Sequence, residues 1–281
     1  MKKTLVIFVL LCLASFAQAQ MLTAHTADVQ YRICRVGSGS RKVAAGCHVQ
    51  LLVTAKTQRG QEVFNQNTWL AIGDEPQRNS LVGALTVLSQ GDSAEIVMPA
   101  RMFFAAMVSY PRTRGVQPNE RLSVHVRVLR VVEPDIVLDD DYDQFLAEYT
   151  AYENSMIGSF LRGNQSFRAT GDIWKRQERA GNGTRTSKFG DVMMIAYEGK
   201  FLNGTTFDTG AKAAEPFRYV RGQQWQVVQG MALALSAMSE GERATFVMPS
   251  KSAFGVRGLA DIVPPFTPVI YEVEVVKINI R

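Results

Sequence analysis

The chain states one pattern twice, and that repetition limits the folds open to it more than any composition figure does. GCHVQLLVTAKTQRGQEVFN (46–65) parallels GDVMMIAYEGKFLNGTTFD (190–208): a glycine, an alternating apolar strand, a glycine turn, then phenylalanine. LTVLSQGDSAEIVMPA (85–100) parallels LSAMSEGERATFVMPS (235–250), with Gly91 and Gly241, and Met98-Pro99 and Met248-Pro249, in register. QPNERLSVHVRVLRV (117–131) parallels PPFTPVIYEVEVVKI (264–278), each a proline followed by a long alternating strand. Three matches in the same order predict two copies of one α+β domain, mostly antiparallel strands with one short helix each.

Between the copies lies a segment of another kind. Asp139-Asp140-Asp141 and Asp143 precede Phe145, Leu146, Tyr149, Tyr152, Met156, Ile157 and Phe160. Spacings of three and four predict an amphipathic helix over 139–161, with acids at the end where they favour the helix dipole. Calcium is the other reading of an acidic cluster. An EF-hand loop counted from Asp139 needs glycine at 144 and glutamate at 150, where Gln144 and Thr150 stand. Gly163-Asn164 ends the helix. Its apolar stripe needs cover, from a domain or from a second copy of the chain, so a homodimer through this helix is one expectation.

Lys2 and Lys3, the apolar run from Leu5 to Phe16 and the small-x-small site Ala17-Gln18-Ala19 read as a secretory signal peptide cleaved after Ala19. The run is too short and wrongly flanked to span a membrane. Cys12 belongs to that run and not to a lipid site, since bulky Leu11 precedes it and apolar residues follow. The expected organisation is leader 1–19, first domain 20–133, helical linker 134–165 and second domain 166–281, in a protein exported to the periplasm. Without Lys2 and Lys3, 29 basic residues face 26 acidic ones, a net charge of +3. That is too mild to argue for nucleic acid. Cys34 and Cys47 outlast cleavage, and an oxidising compartment lets them pair; the sequence leaves their geometry open.

Common catalytic constellations do not occur. His25, His48 and His125 are scattered, and none stands at metal-ligand spacing with cysteine or carboxylate, so neither metal nor cofactor is expected. His48 and His125 fall in predicted strands and read as structural. Gly37-Ser38-Gly39 and Gly181-Asn182-Gly183 are turns, since neither opens a helix as a phosphate loop must. No serine stands in a nucleophile elbow. What the second copy has instead is a run of aromatic and aliphatic residues beside turns: Tyr197, Phe207, Asp208, Phe217, Val227, Val228, Met231, Phe254, Ile262 and Tyr271.

Taken in order, YEGKFLNGTTFD, PFRYVRG, VVQGM, MSEGE, PSKSAFG and IVPPFTPVIYEVE carry a resemblance. From about 170 to 281 the chain resembles the FKBP-type peptidyl-prolyl isomerases. The resemblance implies two FKBP-like domains, each a twisted antiparallel sheet wrapped around a short helix. It implies a pocket for a substrate proline lined by those ten residues. Tyr197, Phe207, Asp208 and Phe254 would be catalytic, and Phe217, Val227, Val228, Met231, Ile262 and Tyr271 would bind substrate. Asp208 would sit at the lip, its bland alternative being an acceptor for turn N–H groups. The Val228 N–H would donate to the substrate backbone before the proline, and a helix would begin near Met231. In that topology the strands bearing Cys34 and Cys47 are not neighbours.

Departures from the family pattern qualify the implied activity. Its tryptophan on the pocket floor is Met231 here, and its tyrosine in Ala-Tyr-Gly is Phe254, which removes a hydroxyl. The first copy departs further: Val53 stands at the position of Tyr197, Asn65 at that of Asp208, and ARMFFAAMVSYPRTRG replaces the Ala-Phe-Gly loop. It reads as a non-catalytic domain that contacts clients, forms an interdomain surface or dimerises. The implied partners are unfolded or partly folded exported proteins bearing X–Pro bonds. The rival is a non-catalytic holdase or scaffold for proline-bearing apolar segments. Residues 166–281 alone would carry the activity as well as the whole mature chain.

Overall fold

A computed structural model describes residues 22–133, 140–182, 186–259 and 262–279. The expected leader and Asp139 lie outside them, as do the side chains of Asp140 and Asp141. In the first half, β1 (Thr23–Ala24), β2 (Gln30–Arg35), β3 (His48–Thr57), β4 (Glu62–Ala71), β5 (Ser93–Pro99) and β6 (Arg121–Val132) form one antiparallel sheet in the order β1-β2-β5-β6-β3-β4. Helices α1 (Leu81–Leu85) and α2 (Ala100–Ala106) interrupt it. After α3 (Asp140–Arg162) come β7 (Arg168–Thr170), β8 (Ile173–Arg179), β9 (Val192–Phe201), β10 (Thr206–Asp208), β11 (Phe217–Val220), α4 (Gln229–Ser236), β12 (Arg243–Met248) and β13 (Val269–Asn279). Their sheet runs β10-β9-β13-β12-β8-β7, with β11 also on β9.

Placed side by side, the two sheets have the same plan. β2-β5-β6-β3 in the first corresponds to β8-β12-β13-β9 in the second, and long β4 is matched by the two short strands β10 and β11. The alternation that predicted strands is what buries them: Val49, Leu51, Val53 and Ala55 in β3, and Val269, Tyr271, Val273 and Val275 in β13, all point inward. The repeat extends to turn chemistry. Gly91 (φ 90°) and Gly241 (φ 79°) both occupy the left-handed region, where glycine is at ease. Their N–H groups reach Val128 and Val275 at 2.8 Å each. The next residue, Asp92 or Glu242, accepts the N–H of Ser89 or Ser239 in the same way.

Two expectations need correction. The first half carries two short helices, not one, because the apolar stretch that replaces the Ala-Phe-Gly loop winds into α2 and buries Phe103 and Phe104. Cys34 and Cys47 do not pair. Cys34 is in β2 and Cys47 abuts β3, with β5 and β6 between them. Three strand spacings of ~4.8 Å far exceed the ~7 Å that a disulfide spans. The Cys47 thiol is buried and donates to the Ala44 carbonyl.

The linker helix α3 runs as its spacing predicts, and Asn164 closes it by donating to the Leu161 and Phe160 carbonyls. Its stripe is covered within the chain. Phe145 and Tyr149 pack with Trp69 and Val132 of the first sheet and with Phe266 of the second half. Met156 and Ile157 pack with Phe167, Leu202, Val247 and Ile270. The Tyr152 hydroxyl bonds Thr68 Oγ1 at 2.6 Å and the Tyr110 hydroxyl at 2.7 Å, fastening the helix to the first half. The face proposed for a second copy is therefore already occupied.

His48 enters this junction with its ring 5.1 Å from Phe145, 5.7 Å from Tyr149 and 5.6 Å from Phe266. Its Nδ1 is shielded and has no hydrogen-bond partner among the described residues. Desolvation pulls its pKa down to about 4. The unfolded chain protonates this imidazole near pH 6.5, the folded chain near pH 4, so its contribution is intact above about pH 6.5 and is lost as pH falls toward 4. The melting temperature should fall between pH 7 and pH 4.5, and His48→Phe should reduce that fall. Calorimetry at the two pH values checks it; equal falls in both chains would remove His48 as the cause.

Candidate active site

The second sheet brings the aromatic residues of separate motifs onto one patch. Across it, Tyr271 of β13 lies opposite Gly199 of β9, and Gly199 lies opposite Asp208 of β10. Val273 lies opposite Tyr197, and Phe217 of β11 opposite Ile195. Ring centroids link in an open chain. Phe217 is 6.2 Å from Tyr197, Tyr197 is 6.1 Å from Tyr271, Tyr271 is 5.9 Å from Phe207, and Phe207 is 5.9 Å from Phe254. Most of these pairs meet edge to face, the geometry that ring quadrupoles favour.

Beneath the rings lies a buried floor. Met231 of α4 and Tyr271 are 2% and 4% exposed, whereas Tyr197, Phe207, Phe217, Val227, Val228 and Phe254 are half-buried against the same core. Half-covered rings around a closed floor leave apolar surface facing outward, ready for an apolar ligand. Helix α4 starts at Gln229, two residues earlier than expected, so Val228 becomes its N-cap residue. No partner accepts the Val228 N–H among the described residues, as helix starts leave such groups free. Gln226 shapes the approach: its amide bonds the Val220 N–H at 2.9 Å and the Val220 carbonyl at 2.8 Å.

Phe207 and Asp208 are neighbours with opposite needs, and the strand resolves the conflict with a bulge. Register shifts between Thr206 and Asp208, so Thr206 pairs Lys200 while Asp208 pairs Gly199. An extra residue in one strand re-aims side chains that would otherwise alternate. Phe207 turns inward against Phe201 at 4.9 Å, and Asp208 Oδ1 accepts the Gly210 N–H at 2.8 Å. Asp208 is thus a turn acceptor whose charge also reaches two tyrosines of the patch. Burial first, then the Asp208 charge, raises the pKa of Tyr197 and Tyr271. Both hydroxyls keep their protons at neutral pH.

Of the ten expected residues, nine share this patch. Ile262 is 52% exposed, and Val263 beside it is the buried member of the same core. Three contributors escaped sequence reasoning. Phe201 backs Phe207, Gln226 braces the loop before Val227, and Gly199 leaves room for the Phe207 ring, which a Cβ there would meet at 2.7 Å. The glycine two residues after Tyr197 was a signal for that close approach. Trp225 (φ 65°), fully outside at 97% exposure, stands on the same loop. No group of three or more histidine, cysteine or acidic side chains is placed to hold a metal among the described residues. No helix among the described residues is long and apolar enough to cross a membrane.

In the first half the matching ring packs against a helix that the second half lacks. Phe64, the counterpart of Phe207, meets Phe103 of α2 at 5.3 Å and Tyr110 at 4.8 Å, and Phe103 is completely buried. Asn65, in place of Asp208, bonds Glu62.

A family model described as FKBP-type peptidyl-prolyl cis-trans isomerase matches residues 183–276. FK506-binding protein 1 of Saccharomyces cerevisiae is 33% identical over 99 residues, 35% of this chain and 86% of the yeast protein. Peptidyl-prolyl cis-trans isomerase FKBP2 of Homo sapiens is 35% identical over 119 residues, 40% of this chain and 83% of the human protein. Among solved structures, the three FKBP domains of wheat FKBP73 align over 92% of this chain and 98% of that one, at 19% identity and a TM-score of 0.36. The chain belongs to the FKBP-type peptidyl-prolyl cis-trans isomerase family, and its second half carries the membership.

Gly199→Ala tests the site's construction. The added methyl should push the Phe207 ring into the patch and destabilise the chain by about 1–3 kcal/mol, as overpacking does. Isomerase activity should fall by about tenfold, equivalent to ~1.4 kcal/mol in the barrier. Denaturant titration and a peptide assay on the same sample measure both. Unchanged turnover would mean that the Phe207 ring has no part in the site.

Proposed function

We propose that the aromatic patch of the second half binds the proline of X–Pro segments in exported polypeptides and speeds their cis–trans isomerisation during folding. The observation that supports this best is the open chain of five rings over Met231, with Asp208 at its lip, in a chain of the isomerase family. The charged run and apolar stretch at residues 2–16, with the small-x-small site ending at Ala19, support export to the periplasm.

The chemistry needs no nucleophile. Rotation about an X–Pro bond faces a barrier of roughly 18–20 kcal/mol, because twisting destroys amide resonance. A twisted amide is less polar than a planar one, so an apolar enclosure favours it relative to water. In this reading Phe207, Phe217 and Tyr271 wall the proline ring, and Met231 and Val227 floor it. Tyr197 and Phe254 flank the twisting bond, Asp208 holds the lip, and the free Val228 N–H anchors the backbone before the proline. Ile262, exposed beside buried Val263, would meet the client directly. The first half, where Phe64 packs on Phe103 and Tyr110, contributes no second catalytic pocket.

In the full mature chain, Phe207→Ala and Asp208→Ala should each lower kcat/KM on a proline peptide while the melting temperature stays above the assay temperature. Retained binding with no turnover in the wild-type chain would instead favour a holdase. Phe254→Tyr restores a hydroxyl that can donate to a substrate carbonyl, and a net hydrogen bond contributes about 0.5–1.5 kcal/mol. If that bond strengthens as the amide twists, kcat/KM should rise by roughly 2- to 10-fold. A protease-coupled assay reads all three variants, and an unchanged Phe254→Tyr rate would show that this ring does not face the carbonyl.

A further inference from the structure

The pocket described above is fastened at both rims to parts of the chain outside the second sheet. On one rim, Ser250 opens the short 3-10 turn that leads into Phe254, and Glu153 of α3 accepts both its N–H and its hydroxyl. Glu153 is 5% exposed, and this pair of bonds accounts for its burial. The loop after Phe254 returns at Phe266, whose N–H donates to the Gly255 carbonyl at 3.0 Å. The Phe266 ring stacks on Tyr149 of α3 with centroids 4.3 Å apart and planes 28° apart. Its backbone is left-handed at φ 54°, a state a bulky residue holds only when surroundings impose it.

On the other rim, the hairpin between β9 and β10 docks on the first half. The Asn203 N–H donates to the Val108 carbonyl at 3.2 Å, and its side chain to the Phe104 carbonyl at 3.3 Å. Arg112 donates to Thr205 at 3.1 Å, and the Val108 side chain belongs to the second half's core. This hairpin leads directly into Phe207 and Asp208.

We propose that α3 and the first half set the spacing of the catalytic pocket, with Tyr149, Phe266 and Glu153 acting as positioning residues for the Phe254 loop and Asn203 for the Phe207 hairpin. The proposal rests on the patch being the isomerase site. It replaces the expectation that residues 166–281 alone would match the whole chain: without α3 and the first half, Phe254 and Phe207 lose their outside anchors. Enclosure of a twisting amide depends on the distance between those two rings, so loosened anchors reduce turnover without removing any group that touches substrate.

The test uses the full mature chain and a short X–Pro peptide, which reaches the pocket but is too small to engage the first half as a client would. Tyr149→Ala removes the stack and Tyr149→Phe keeps it. Tyr149→Ala should lower kcat/KM by about fivefold or more, chiefly in kcat, while Tyr149→Phe stays within about twofold of wild type. Hydrogen exchange at the Phe266 amide should quicken in Tyr149→Ala alone. Should Tyr149→Ala melt below the assay temperature, Glu153→Gln and Asn203→Ala decide instead, each expected to lower kcat by about threefold. Wild-type kcat/KM in Tyr149→Ala, or an equal loss in Tyr149→Phe, would overturn the proposal. In the Glu153 and Asn203 arm, unchanged kcat in both would do so. Phe207→Ala in the same assay separates the readings, since full activity there would dismiss the pocket itself.

Discussion

A helix of 23 residues with Phe145, Tyr149, Met156 and Ile157 along one face cannot stand in water, and the architecture follows from how that face is covered. Each such side chain gains ~1.5–3 kcal/mol on full burial. Neither half covers the stripe alone. Trp69 and Val132 of the first sheet take its N-terminal part together with Phe266, and Phe167, Leu202 and Ile270 of the second half take the remainder. Burying the linker therefore brings the halves into contact, and docks the first half's Val108 against the second half's core. The left-handed backbone at Phe266 costs about 1–3 kcal/mol. Burial of its ring and stacking on Tyr149, the latter ~0.5–1.5 kcal/mol, offset that cost. The strain is held in place by the same contacts that join the halves.

One fold used twice shows what separates a site from a core. In the first half Phe64 packs edge to face on both Phe103 and Tyr110. In the second half the matching ring, Phe207, meets Phe201, Phe254 and Tyr271, and Tyr197, Phe217 and Phe254 stay half-covered. The difference traces to a single segment. ARMFFAA winds into a helix that carries phenylalanine inward, whereas PSKSAFG makes one 3-10 turn and stops. The shorter turn leaves Phe254 half-buried beside Phe207.

Much of this was legible from residues close together in the chain. Alternation marked the strands, three-and-four spacing marked α3 within a residue or two, and the order of the motifs picked out nine residues that do share a patch. What was not legible depends on contacts between distant residues. The bulge that turns Phe207 and Asp208 to separate tasks is set by pairing with Gly199 and Lys200, not by TTFD itself. The outward turn of Ile262 follows from the Leu259–Val263 pairing around it. The left-handed state of Phe266 has no local signal, since nothing in PPFT demands it; Tyr149 and the Gly255 carbonyl do. The helical state of α2 was misread because its template was the loop of the other copy.

The hydroxyl inventory of the pocket narrows the chemistry further. Tyr197 and Tyr271 are held protonated by burial and by the neighbouring Asp208 charge, so each offers a donor throughout the neutral range. Phe254, on the far side of Phe207, offers none. Beside them, the Val228 N–H has no acceptor among the described residues. A hydrogen bond that strengthens as the amide twists lowers the barrier, and the Phe254 ring supplies none. With that hydroxyl absent, the remaining lever is the spacing of the rings, which we propose is set from outside the second sheet.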